Sequence, residues 1–327
     1  MSLSDRALMS RRRFVTLSAS GVALALGAAA CSGEATAETP GDLEKPHVTV
    51  GALPVVDFAA LYVAQQKGLF EAQGLTVKIE VLPGGAAAAA KLASGELDFS
   101  INNYVSAIQA TESGKVPLKI VQDAYQLKPD AAGVLVAKDS PIHRPQDLKG
   151  KKIAVNTKAN VGQLLVTAGL QTYGVKPSDA HFVAVDFPKM VPALKKHSID
   201  AAWTVEPFVT QIEEVLGGRL ILDSAKGPTA DFPIGVYTTS AAFARRNPKT
   251  TAAFRRALAR ATQMVSADRS LVEKTLPTYS KIDAKTASLI HVSTYPVSVN
   301  QQRAQQVADL MTQYGFLSKH FDIKPML

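Results

Sequence analysis

The chain has 327 residues, of which 46% are hydrophobic and 20% charged, and its formal net charge is +8. This length is enough for two ordinary domains. Lys and Arg are scattered rather than interleaved with aromatic residues, which argues against a nucleic-acid partner. The single cysteine, Cys31, excludes an intramolecular disulfide. The six histidines lack metal-ligand spacing, so we expect neither a metal nor another cofactor.

Residues 1–30 predict an export signal. Ser10 to Phe14 has the twin-arginine form, with Arg11 and Arg12 as the pair, and a moderately apolar run follows. The small residues directly before Cys31 are similar to the lipobox of bacterial lipoproteins, in which that cysteine is lipidated. We therefore expect export, by the twin-arginine or the general secretory route, and a lipid anchor on the outer face of a bacterial cell membrane. Residues 31–46 are polar and predict a flexible tether.

Two copies of one strand–helix–strand pattern follow, with matching positions 100 to 102 residues apart. The predicted elements are strands at 47–52, 77–82, 152–155 and 181–185, a helix at 59–67, a helix ending at Ala168 and an alanine-rich helix after Gly84-Gly85. Alternating strands and helices indicate parallel sheets covered by helices. We therefore expect two similar α/β lobes that face each other across a cleft.

The remainder of the chain is predicted to be mostly helical. We expect one helix to begin at Pro248 with Asn247 as its N-cap, and a last helix to run from about Asn300 to Tyr314. The segments 133–137 and 233–237 are expected to cross between the lobes. Lobe one is then predicted to comprise 47–132 and 238–327, and lobe two 133–237.

A series of short motifs runs in order through the chain from residue 47 onwards. These motifs are Leu61–Phe70, Gly74–Val77, Pro83–Gly85, Ser94–Asp98, Asp139–Ile142, Asp147–Lys152 and Ile199–Phe208. Together they resemble the substrate-binding lipoproteins of ABC importers, in the branch for nitrate, sulfonate, taurine and thiamine-pyrimidine precursors. The resemblance implies the two-lobed periplasmic-binding fold (type II), each lobe having a mainly parallel sheet with flanking helices. It also implies a monomer without enzyme activity that delivers a small solute to permease and ATPase subunits.

Ligand-binding residues are expected in loops at the carboxyl ends of strands, where open α/β sheets bind their ligands. Helix starts in these loops offer free N–H groups to an anion, and the Trp203 ring could pack an apolar tail. Glu206 would suit an ammonium or aminopyrimidine group, or it would brace the helix that starts at Pro207. The candidates are Asp57, Phe58, Gly85, Ala86, Asn102, Asn103, Tyr104, Asn156, Thr157, Asn160, Trp203, Glu206 and Tyr237.

Three other polar residues have structural interpretations in the sequence. Asp98 and Asp200 stand at strand starts, away from the expected ligand end, and His197 stands where a left-handed helix cap is expected. The favoured solute is a small organic anion of the sulfonate, nitrate or carboxylate type, and a pyrimidine or other thiamine-precursor-like heterocycle is the alternative. A sensor subunit of the same fold and an enzyme on that fold are the competing functions.

Overall fold

The computed structural model describes residues 43–327. The predicted export signal with Arg11 and Arg12, the lipidation site Cys31 and most of the tether lie outside the described residues. The described part contains two five-stranded sheets with helices packed around them. Its core is rich in Val, Leu, Ala and aromatic side chains that are almost completely buried.

The first part of the chain alternates strands and helices as the sequence predicts. Its elements are β1 (His47–Ala52), α1 (Ala59–Gln66), β2 (Thr76–Val81), α2 (Gly85–Ser94), β3 (Phe99–Asn103), α3 (Tyr104–Glu112) and β4 (Leu118–Gln126). Gly74 and Gly95, which follow a short helical turn and α2, have φ of 77° and 79°. Glycine adopts these left-handed conformations without steric cost, which explains why the helical segments end there.

The middle of the chain repeats this alternation. Its elements are β5 (Ala132–Val136), β6 (Lys152–Val155), α4 (Val161–Thr172), β7 (His181–Ala184), α5 (Phe187–Lys195), β8 (Ala201–Val205), α6 (Phe208–Leu216) and β9 (Arg219–Asp223). Helix α4 continues one turn beyond Ala168, where we expected it to end. His197 has φ of 51°, the left-handed conformation expected from the sequence.

The last part of the chain contains one strand and six helices among the described residues. They are β10 (Pro233–Ser240), α7 (Ala241–Arg246), α8 (Pro248–Ala267), α9 (Arg269–Thr275), α10 (Pro277–Ser280), α11 (Ala284–Leu289) and α12 (Gln301–Gln313). Phe254 on α8 is buried and stacks on Phe70 and Phe99, with ring centroids 5.3 Å and 4.0 Å apart. This contact attaches the long helix α8 to the first sheet.

The two sheets have equivalent strand orders, β2-β1-β3-β10-β4 and β7-β6-β8-β5-β9. In each sheet the first three strands are parallel, and the fourth is antiparallel to both of its neighbours. Asp98 accepts a hydrogen bond from the Thr49 N–H (3.0 Å), and Asp200 accepts one from the Lys152 N–H (2.7 Å). These matched bonds tie the starts of neighbouring strands together, in agreement with the structural interpretation of both residues.

The chain crosses between the sheets in segments 127–131 and 224–232, which lie between β4 and β5 and between β9 and β10. The two segments are joined where the Leu127 N–H donates to the Phe232 carbonyl at 2.9 Å. Strand β10 pairs with β3 and β4 along its length. Residues 233–237, which the sequence analysis assigned to lobe two, therefore belong to the first sheet. The crossing precedes them because β10 pairs with β4 of the first sheet from Pro233 onwards.

The last residues of the predicted tether are attached to the folded body. The Glu44 carboxylate accepts hydrogen bonds from the N–H groups of Lys249 (3.1 Å) and Thr250 (2.9 Å) in the first turn of α8. Asn247 precedes this helix as predicted, but its side chain makes no capping bond and donates to the Phe243 carbonyl instead. The Glu44 carboxylate thus accepts hydrogen bonds from the free N–H groups at the start of α8, the capping role that we expected for Asn247.

Candidate functional site

A small cavity lies where the carboxyl ends of β1 and β3 in the first sheet approach those of β6 and β8 in the second. It has a volume of about 40 Å³ and is lined by Leu53, Val55, Asp57, Phe58, Gly85, Asn102, Asn103, Asn156, Val161, Phe187, Trp203, Val205, Ile234 and Gly235. Both sheets contribute to this lining, as expected for the two matched sets of strand-end loops. The cavity brings together the predicted residues Asp57, Phe58, Gly85, Asn102, Asn103, Asn156 and Trp203.

The polar groups of the cavity are buried and incompletely bonded. Asp57 Oδ1, Asn156 Oδ1 and both polar side-chain atoms of Asn102 have no hydrogen-bond partner. Leaving such atoms unpaired costs free energy, so unpaired groups that line a cavity are candidates for contact with ligand atoms. Burial raises the pKa of Asp57 to about 7. The unpaired set consists of three oxygen acceptors and one amide donor, and therefore favours a ligand with several hydrogen-bond donors.

Gly85 is required at this site by its side-chain neighbours. A Cβ at Gly85 would lie 2.4 Å from Asn102 Oδ1 and 2.6 Å from Ser106 Oγ. From the sequence we expected this glycine to let the backbone approach a ligand closely. In the structure the space above it is filled by two polar side chains, one of which lines the cavity.

Aromatic side chains form the apolar walls. The ring centroids of Phe187 and Trp203 are 6.1 Å apart, and Phe58 contributes from the first lobe. The Trp203 N–H donates to Ser224 Oγ at 3.0 Å, so the indole presents ring atoms rather than its N–H to the cavity. The ring also lies against Gly162, where a Cβ would be 2.3 Å from it. Trp203 is thus firmly held, with 1% of its surface exposed.

Three predicted residues are buried beside the cavity but do not line it. The Tyr104 hydroxyl donates to the Asp123 carboxylate, and Tyr237 packs edge-on against Phe58. The Glu206 carboxylate accepts hydrogen bonds from Thr210 Oγ1 and the His291 N–H, each at 2.8 Å, and burial raises its pKa to about 7. Glu206 therefore braces the helix that starts after Pro207, which was the alternative to a ligand-binding role.

The remaining three predicted residues also lie outside the lining. Ala86 is exposed on α2 and faces a separate surface groove. Thr157 lies close to Gly84 across the cleft, 3.0 Å from where a Cβ of that glycine would be. Asn160 caps α4 by accepting from the Val161 N–H at 2.9 Å, and its other polar contacts are with the first lobe. Helix capping thus accounts for Asn160 without a solute.

Seven lining residues, all apolar or glycine, were not predicted from the sequence. Those residues are Leu53, Val55, Val161, Phe187, Val205, Ile234 and Gly235. The internal repeat contained a signal for Phe187, because it begins the helix after β7 as Gly85 begins the helix after β2. Among residues 43–327, no group of His, Cys, Asp and Glu side chains could hold a metal ion. Nor does any helix in that range have the length and apolar character to cross a bilayer.

Two lobes with equivalent sheets, joined by two crossing segments and with a mainly apolar cavity between their strand ends, have the two-lobed periplasmic-binding fold. The chain belongs to the NMT1/THI5-like family, whose sequence profile matches residues 55–269. The structure is similar to that of the alkanesulfonate-binding protein SsuA of Xanthomonas axonopodis pv. citri bound to MOPS, with a TM-score of 0.73 at 20% identity. That match covers 86% of this chain and 97% of the other.

Two sequence relatives differ in their described roles. A putative thiamine biosynthesis protein of Haemophilus influenzae is 28% identical over 284 residues, which is 82% of this chain and 86% of that protein. The taurine-binding periplasmic protein of Escherichia coli is 30% identical over 198 residues, 59% of this chain and 58% of that protein. The family and fold are therefore shared by proteins connected with different small molecules.

Proposed function

We propose that this protein is the extracytoplasmic solute-binding component of an ABC importer, which captures a small molecule by lobe closure and delivers it to a membrane permease. Family membership, the two-lobed fold and the cavity between strand ends support this role. The sequence of residues 1–31 supports export and a lipid anchor at Cys31. The relatives that bind solutes support an extracytoplasmic location.

The proposed class of solute rests on the buried, unpaired Oδ1 atom of Asp57. None of the described residues that line the cavity is Lys, Arg or His. An anion placed there would meet a buried carboxylate without a compensating cation, which is unfavourable. A neutral or cationic head with N–H groups would instead pair with Asp57 and with the amides of Asn102 and Asn156. The geometry therefore favours the amine or aminopyrimidine alternative over the organic anion that the sequence analysis ranked first.

The apolar walls narrow the class further. Phe58, Phe187 and Trp203 offer ring surfaces to a planar or compact apolar body. We propose a small amino-substituted heterocycle, bound with its donors on Asp57 and its ring against these aromatics. A zwitterion such as taurine would place its ammonium group on the same carboxylate.

We further propose that the protein binds its solute without chemical turnover. Nucleophilic or acid–base catalysis needs an activated side chain close to the reacting atoms. The described lining residues include no Ser, Thr, Cys, Lys or His, and their only ionisable group is Asp57. A carboxylate whose pKa is raised to about 7 can bind a protonated amine or donate a hydrogen bond when it is neutral.

A thermal-shift screen tests this function. The probes are 4-amino-5-hydroxymethyl-2-methylpyrimidine, taurine, ethanesulfonate and nitrate, at matched ionic strength. A probe at about 100 times its Kd should raise the free energy of unfolding by about 2.7 kcal/mol, which is several degrees in Tm. We expect the aminopyrimidine, and more weakly taurine, to stabilise the protein. Stabilisation by ethanesulfonate or nitrate alone would contradict the proposed solute class.

A further inference from the structure

The N-caps of two helices from opposite lobes are hydrogen-bonded to each other. Asn103 ends β3 and caps α3 by accepting from the Ser106 N–H at 2.8 Å. Asn160 caps α4. Asn103 Nδ2 donates to Asn160 Oδ1 at 2.9 Å, and Asn160 Nδ2 donates to Ser106 Oγ at 2.8 Å. We name the set Asn103, Ser106 and Asn160 the inter-lobe latch.

Two of the three latch residues are buried, and their polar atoms are hydrogen-bonded. Asn160 and Ser106 are each 4% exposed, and both polar side-chain atoms of Asn160 have partners within 2.9 Å. A further bond beside it joins Gln109 Nε2 to the Ala159 carbonyl at 3.0 Å. Buried amide groups that lose such partners incur a desolvation cost. The latch therefore favours complete closure over partial closure.

The latch also forms a boundary of the cavity. Asn103 is a member of the latch and lines the cavity. Val161, which directly follows Asn160, lines it too. A solute too large for the space between them would hold the lobes apart and separate Asn160 from Asn103 and Ser106. A compact solute would allow all these bonds to form.

We propose that Asn160 is a specificity-determining positioning residue. It stabilises the lobes when they close on a compact solute, and it discriminates against bulky solutes without touching the solute. This inference rests on the proposed function, since it concerns selection at the same site. The latch bonds form only when the lobes close on a compact solute, so only a compact solute gains affinity from them. Loss of the latch therefore reduces selectivity rather than reducing affinity uniformly.

Asn160→Ser is the informative variant. Serine preserves the N-cap, but its shorter side chain does not reach Asn103 or Ser106. Asn300→Ser is the matched control, because Asn300 caps α12 by accepting from the Arg303 N–H at 3.1 Å, far along the chain from the latch. The two probes are 4-amino-5-hydroxymethyl-2-methylpyrimidine and thiamine, which share the aminopyrimidine ring and differ in bulk.

Calorimetric titration should show about tenfold weaker binding of the compact probe to Asn160→Ser, from the loss of two inter-lobe hydrogen bonds. The affinity for thiamine should change less than twofold, and Asn300→Ser should leave both affinities unchanged. Equal losses for both probes, or no loss for either, would overturn the proposal. If neither aminopyrimidine binds the parent protein, the proposed solute class is wrong, and taurine with MOPS as its bulky counterpart is titrated in the same way.

A second measurement does not depend on any solute. Urea unfolding of Asn160→Ser, Ser106→Ala and the double variant forms a cycle that isolates the inter-lobe interaction. The effects on the unfolding equilibrium constant should deviate from additivity by at least about threefold. Additive effects would show that the two side chains do not interact across the lobes, and would overturn the latch whatever the solute is.

Discussion

Replacing Asp57 with Asn should make the protein more stable and a poorer binder of amines. Asp57 is 4% exposed, and burial raises the pKa of its carboxyl group from 3.8 to about 7. Each pKa unit between the folded and unfolded states corresponds to ~1.4 kcal/mol. Keeping this carboxylate ionised in the folded protein therefore costs on the order of 4 kcal/mol, and the neutral amide of Asp57→Asn avoids that cost. Affinity for the aminopyrimidine probe should fall at least about tenfold, because a charge-assisted bond is lost.

The raised pKa also fixes the direction of the pH dependence. The folded state binds the proton more tightly than the unfolded chain, so the stabilisation is fully present below the unfolded pKa of 3.8. It is lost as the pH rises through about 7. Between pH 5 and pH 8 the parent should lose about 2–3 kcal/mol of unfolding free energy that Asp57→Asn retains. Urea unfolding of both proteins at the two pH values measures the difference.

Asp98→Asn is the matched control, because Asp98 is equally buried but fully partnered. Its carboxylate accepts from Lys45 Nζ at 2.6 Å and from the Thr49 N–H at 3.0 Å. Removing its charge should destabilise the protein at pH 8, opposite in sign to Asp57→Asn. Identical pH dependence in the parent and Asp57→Asn, or destabilisation of Asp57→Asn at pH 8, would refute the reasoning.

Three further predictions concern other parts of the chain. Gly162→Ala should push against the Trp203 ring, lowering stability by about 1–3 kcal/mol and shifting the emission of this single tryptophan; unchanged emission would contradict the contact. Glu44→Gln should weaken the N-terminal cap of α8 and lower Tm by a few degrees, equivalent to about 0.5–1 kcal/mol in urea unfolding, whereas an unchanged Tm would show that the cap contributes nothing. Cys31→Ser should release the protein from the membrane into the soluble fraction, and a variant that still partitions into detergent would place the anchor elsewhere.

The sequence by itself determined most of the local structure. Apolar periodicity predicted β1, β6 and α1 closely, and the repeat at 100–102 residues predicted two equivalent lobes. The same repeat aligns His197 with Gly95 and so predicted its left-handed conformation. Strand and helix positions depend on neighbouring residues, whose backbone preferences and side-chain spacing can be read from the sequence, and a repeat is detected by comparing the sequence with itself.

Only the tertiary structure decided what each strand-end residue contacts. Asn156 and Asn160 are four residues apart in one loop, yet one lines the cavity and the other binds the opposite lobe. Glu206 directly follows β8 and Asn103 ends β3, but the Glu206 carboxylate accepts hydrogen bonds from Thr210 and His291. The side chains that oppose a loop come from distant parts of the chain, and their positions are fixed only when the two lobes pack together. Hydrogen-bond partners across a cleft are therefore a property of the closed fold, which neither composition nor periodicity encodes locally.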